Sequence, residues 1–108
     1  MGEKRLAMVK HLVFWRLRDF ERGLGDIADK HLILEAIAAM RTGIAGLRAV
    51  EIGINKRRAG DASDLALYTE FESWSALHAY EIHPLHEELK RLIGPLRVER
   101  RVVDYEVS

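Results

Sequence analysis

From Met8 to Arg18 the chain alternates with period two: Val9, His11, Val13, Trp15 and Leu17 fall on one side, Met8, Lys10, Leu12, Phe14 and Arg16 on the other. An extended strand is the conformation that sorts its side chains this way. Both sides carry large apolar groups, so each face of this strand needs cover.

The remaining elements follow from local chemistry. Gly23 and Gly25 punctuate a loop, and Asp26 suits the N-cap of a helix that carries Ile27, His31, Leu34, Ile37 and Ala38 at helical spacing. Ile33, Met40 and Ile44 widen its stripe, and Gly43 and Gly46 end it. Strands are predicted over residues 47–55 and 64–71, joined by a loop of hairpin rather than linker length. Ser73 starts another helix, with Trp74, Leu77 and Tyr80 at its turns. Pro84 stops that helix, because the residue before a proline is pushed out of the helical region. Proline also fits the first turn of a helix, where its missing N–H costs nothing, so a short helix is predicted from Leu85 to Ile93. Gly94-Pro95 ends it, and residues 98–107 form the last strand.

This order, strand, helix, strand, strand, broken helix, strand, predicts an α+β chain of the ferredoxin-like βαββαβ kind. Its four-stranded antiparallel sheet has the first and third strands central and the helices on one face. The other face carries Leu12, Phe14, Tyr68, Val103 and Tyr105. Burying such side chains at roughly 1.5–3 kcal/mol each gives a gross gain on the order of ten kcal/mol before association costs. A homodimer packed sheet against sheet is therefore expected. Residues 1–7 read as an N-terminal extension and residues 8–108 as the single domain that 108 residues can hold.

Composition excludes several function classes. Lys+Arg and Asp+Glu are equal at 17 each, so no cationic excess favours nucleic acid. The basic runs Lys56-Arg57-Arg58 and Arg97 to Arg101 read as a solvated loop and a strand with outward charges. No segment is long and apolar enough for a membrane span or a signal peptide. The absence of cysteine removes disulfides and thiolate chemistry and fits a cytoplasmic location.

Acid–base side chains concentrate in Tyr80-Glu81-Ile82-His83-Pro84-Leu85-His86. His86 falls in the first turn of the helix after Pro84, where the positive end of the helix dipole favours the neutral imidazole that a general base must be. Tyr80 could donate its hydroxyl to a carbonyl oxygen or enolate. Both residues also suit structural roles, His86 in sealing a helix end and Tyr80 in a core. His11 shares the strand face of Val13 and Trp15, as a pocket group or a hydrogen-bonded core residue. Asp104 could fix the tautomer of a nearby histidine or pair with an arginine. His83, His86 and Glu87 are ligand types, but His-Pro-x-His is not the spacing of one regular helix, so no metal is expected. His83 reads as a junction residue.

Together these residues resemble the stress-responsive α/β-barrel, or dimeric A/B-barrel, domain family. The resemblance runs through Val9-Lys10-His11-Leu12-Val13, Gly53, Thr69-Glu70-Phe71-Glu72-Ser73, the Tyr80 to His86 motif and Val103-Asp104-Tyr105. It implies a homodimer whose sheets close into a barrel, with a small pocket in each subunit between sheet and helices and no cofactor. Similarity to its olivetolic acid cyclase-like members, which close a linear poly-β-keto thioester by aldol condensation, implies Tyr80 and His86 as catalytic groups and His11 as a pocket group. Another pocket histidine of those members falls on Leu65, and Trp15 replaces a smaller aliphatic residue, which narrows the pocket. Val13, Trp15, Leu34, Ile37, Leu67 and Leu89 would give the pocket apolar walls, with Ile33 and Val50 beside them, and Asp104 would support the histidines. The expectation is cofactor-free cyclase or lyase chemistry on a small keto or aromatic ligand. The alternative is a non-catalytic homodimer with a stress-associated or ligand-binding role.

Overall fold

In the computed structural model, which describes residues 7–18, 30–57 and 59–108, the alternating segment forms strand β1 (Met8–Leu17). The expected cap at Asp26, with Gly23, Gly25 and Ile27, lies outside the described residues, as do Arg58 and residues 1–6 of the expected N-terminal extension. Helix α1 (Lys30–Gly43), strands β2 (Leu47–Ile54) and β3 (Leu65–Phe71), helices α2 (Trp74–Glu81) and α3 (Pro84–Ile93) and strand β4 (Arg97–Val107) follow. The sheet runs β2-β3-β1-β4 and is antiparallel throughout, so β1 and β3 are central. Among the described residues no helix is long and apolar enough to cross a membrane.

Register sorts the side chains of the sheet into two faces. His11 lies opposite Thr69 and Asp104, Val13 opposite Leu67 and Val102, and Trp15 opposite Leu65 and Arg100. His11, Val13 and Trp15 are buried beneath the helices. On the other face Leu12 lies between Tyr68 and Val103, Lys10 between Glu70 and Tyr105, and Phe14 between Ala66 and Arg101.

Helix α1 turns a different stripe inward from the expected one. Ile33, Ala36, Ile37 and Met40 are buried, whereas Leu34 is 39 % exposed and His31 and Ala38 face solvent. Residues Leu32 to Met40 are apolar at eight of nine positions, so periodicity alone leaves the phase open, and packing against α3 and β2 chooses the face.

The turn after α1 depends on Gly46, whose φ of 83° is in the left-handed region. A Cβ there would also stand 2.6 Å from that of Ala76 at the start of α2. Gly46→Ala is therefore expected to lower stability by roughly 1–3 kcal/mol. A urea-melt midpoint equal to wild type would contradict this close approach.

Candidate functional site

Two helix ends build the site. Ser73 caps α2, its hydroxyl accepting from the Ala76 N–H at 3.0 Å. His83, extended at φ −72° and ψ 139°, caps α3: its Nδ1 accepts from the Leu85 N–H at 3.0 Å. Its carbonyl accepts from the amides of His86 at 3.0 Å and Glu87 at 2.9 Å. The break brings Tyr80, in the last turn of α2, face to face with His86, in the first turn of α3. Their ring centroids are 4.1 Å apart with planes 29° from parallel. Phe71 packs on Tyr80 at 4.9 Å, and His11 meets it edge-on at 5.9 Å.

Burial lowers the proton affinity of His86 below the usual histidine value; Lys90 and His11 act in the same direction, against the Glu81 carbonyl and Glu87. The Nδ1–H of His86 donates to that carbonyl at 3.3 Å. A carbonyl only accepts, so Nε2 is the basic nitrogen. Burial also pushes the Tyr80 phenol up, with Arg100 pulling the other way. The Tyr80 hydroxyl is fully buried and has no hydrogen-bond partner among the described residues. Next to it, the Nδ1–H of His11 donates to the Asp104 carboxylate, which orients that ring.

A cavity of 410 Å³ opens beside this cluster, a size that suits a small molecule. Val13, Trp15 and Leu67 from the sheet and Leu89, Ile93 and Gly94 at α3 line it, with His86, Glu81, Lys90, Arg97 and Arg100 as its polar groups. Of the residues expected to meet a ligand, His86, Val13, Trp15, Leu67 and Leu89 are on this wall. Others are not. Tyr80 stacks on His86 from the protein interior, and the His11–Asp104 pair lies beyond Tyr80. Ile37, Ile33 and Val50 fill the core, and Leu34 points away from it. Leu65 is buried opposite Trp15. His83 is engaged by its cap, and among the described residues no three His, Asp or Glu side chains group as metal ligands.

Sequence reasoning missed Glu81, Lys90, Arg97 and Arg100. Arg97 to Arg101 was expected to carry its charges outward, yet Arg97 and Arg100 turn to the cavity. For Arg100 the signal is parity: positions 100, 102 and 104 share one side of a strand, opposite to Val103 and Tyr105, which the sequence places on the face away from the helices.

Because folding lowers the pKa of His86 below 6.5, the unfolded chain binds more protons just below that value. Stability is thus expected to fall as pH drops through about 6.5, and His86→Gln should remove part of that loss. In a histidine NMR titration His86 should titrate below 6.5; a midpoint at or above 6.5 would contradict the burial argument.

The family profile for the stress responsive A/B barrel domain matches residues 9–107. Among solved structures, the chain is similar to a dimeric protein of unknown function with a ferredoxin-like fold from Bacteroides fragilis, at 32% identity and TM-score 0.73, covering 93% of this chain and 96% of that one. A dimeric ferredoxin-like protein of unknown function from Thermobifida fusca aligns at 19% identity and TM-score 0.78, over 94% and 92% of the two chains. A hydroxynitrile lyase from Passiflora edulis aligns at 15% identity and TM-score 0.75, over 96% of each chain. No curated protein sequence matches. The last two likenesses speak for the fold alone, but the profile spans the whole sheet and all three helices, and on that ground the chain belongs to the stress responsive A/B barrel domain family.

Proposed function

We propose that the chain forms a homodimer in which each cavity binds a small keto or aromatic ligand and carries out cofactor-free acid–base chemistry of cyclase or lyase type. The observation that carries this reading is the Tyr80 hydroxyl, fully buried without a partner and stacked on a neutral imidazole that opens on a cavity. A buried hydroxyl left unpaired costs about 1–3 kcal/mol, so packing alone does not account for it. In this reading Nε2 of His86 takes a proton from the ligand, and Tyr80 donates to the oxygen on which charge develops. His11 and Asp104 are positioning residues behind Tyr80. The half-buried His86 ring has to shift as the ligand enters, because Tyr80 is not part of the cavity wall.

That last placement favours a second reading, a non-catalytic ligand-binding or stress-associated dimer in which Tyr80 only packs. Turnover separates the two. The screen should include β-keto thioesters, aromatic acids and, from the Passiflora edulis neighbour, hydroxynitriles. His86→Gln should lower turnover by about 10²-fold or more. Tyr80→Phe should lower it too while leaving stability unchanged or raised by about 1 kcal/mol, since it deletes an unpaired group. Equal rates in wild type and both variants would remove these residues from any mechanism.

The dimer rests on the sheet face away from the helices and on the dimeric neighbours. Leu12, Phe14 and Val103 form its apolar centre, with Val103 45 % exposed in the monomer. On one side Lys10 lies over the Tyr68 ring at 5.5 Å and the Tyr68 hydroxyl donates to Glu70 at 2.7 Å; on the other Glu99 pairs with Arg101 at 2.8 Å and Arg16 at 3.6 Å. An apolar centre within a charged rim is the pattern of an interface. Sedimentation should find a dimer for wild type at micromolar concentration and a monomer for Phe14→Glu. A monomeric wild type would refute the interface.

A further inference from the structure

We infer that the cavity recognises a monoanion, a carboxylate on an apolar body, through Arg97 and Arg100. The inference rests on the reading of the cavity as a ligand site and adds the chemical class of the ligand. Arg100 stands opposite Trp15 across the β1–β4 ladder, and Arg97 opposite Leu17, just past a shift in register at Arg16/Leu17. Both line the cavity whose apolar surface is built by Val13, Trp15 and Leu67.

The other arginines nearby are paired. Arg16 and Arg101 share Glu99, and Arg91 holds Glu88. Neither Arg97 nor Arg100 has a carboxylate partner among the described residues. A guanidinium stays charged and offers a planar fork of donors that matches a carboxylate. Two such forks over an apolar floor provide for a charged head and a greasy body in one site.

The charge balance selects the anion. Lys90 also lines the cavity, but its ammonium is answered by Glu87 at 2.9 Å, and Glu81 adds a negative charge to the same wall. Two arginines against one glutamate leave a single positive charge, which matches a carboxylate better than a phosphate dianion.

The test uses Trp15 as the reporter, in a Trp74→Phe background because Trp74 lies outside the cavity. Binding of 3-phenylpropionate, its neutral amide 3-phenylpropanamide, and phenyl phosphate is followed by fluorescence. The acid should bind about five-fold or more tightly than the amide, the worth of an exposed ion pair, and the preference should shrink as salt is raised. Replacing both arginines, Arg97→Gln with Arg100→Gln, should abolish the preference, bringing the acid and the amide to equal affinity. His86→Gln should keep the preference, so a failure of the acid–base chemistry leaves this inference standing. Equal binding of acid and amide, or a preference that survives the double substitution, would overturn it alone. Tighter binding of phenyl phosphate would overturn the monoanion, and no binding of any probe would overturn it together with the cavity reading.

Discussion

Pro84 has no backbone N–H, and its ring forces His83 out of the helical region, so the chain must break between α2 and α3. In an unbroken helix Tyr80 and His86, six positions apart, would project about 120° from each other and could not stack. The break places one over the other at 4.1 Å. His83 makes the break stable by giving both its ring nitrogen and its carbonyl to the new helix. Several polar groups are arranged around that corner: His11 against the edge of Tyr80, Asp104 against His11, and the cavity against His86.

Under the proposed function the corner sets stability against chemistry. Burial that makes Tyr80 a good packing residue beside Phe71 also strands its hydroxyl, and the same low polarity keeps His86 neutral. A phenylalanine would satisfy the packing without the stranded group. A site that must hold a neutral base and a hydroxyl donor out of water has a reason to keep the tyrosine.

Much of the fold was legible because its signals are local. Period-two alternation fixed β1, the Ser73 cap fixed the start of α2, and Pro84 with Gly94-Pro95 bounded α3. The pairing of β1 with β3 and β4 then followed from connectivity. The phase of α1 was not legible, since Leu32, Ile33 and Leu34 offer apolar groups on three sides and only tertiary packing decides which go inside. In the site, Tyr80 and His86 were brought together by the local motif, whereas the cavity is a gap between elements far apart in sequence. Whether Ile37 fills a core or faces a void depends on packing that one sequence does not display. Arg100 was hidden by its neighbours: within a basic run its charge looked like solvent decoration, although strand parity put it on the side of Asp104.

In the proposed function the stranded hydroxyl of Tyr80 is held for a ligand. A crystal structure of the protein soaked with 3-phenylpropionate tests it most directly. The expected complex has the carboxylate at Arg97 and Arg100, the His86 ring displaced, and the Tyr80 hydroxyl within hydrogen-bond reach of the ligand or of a water the ligand holds, at about 2.6–3.2 Å. A ligand seated in the cavity with the His86–Tyr80 stack unmoved and the hydroxyl still unpaired would contradict it.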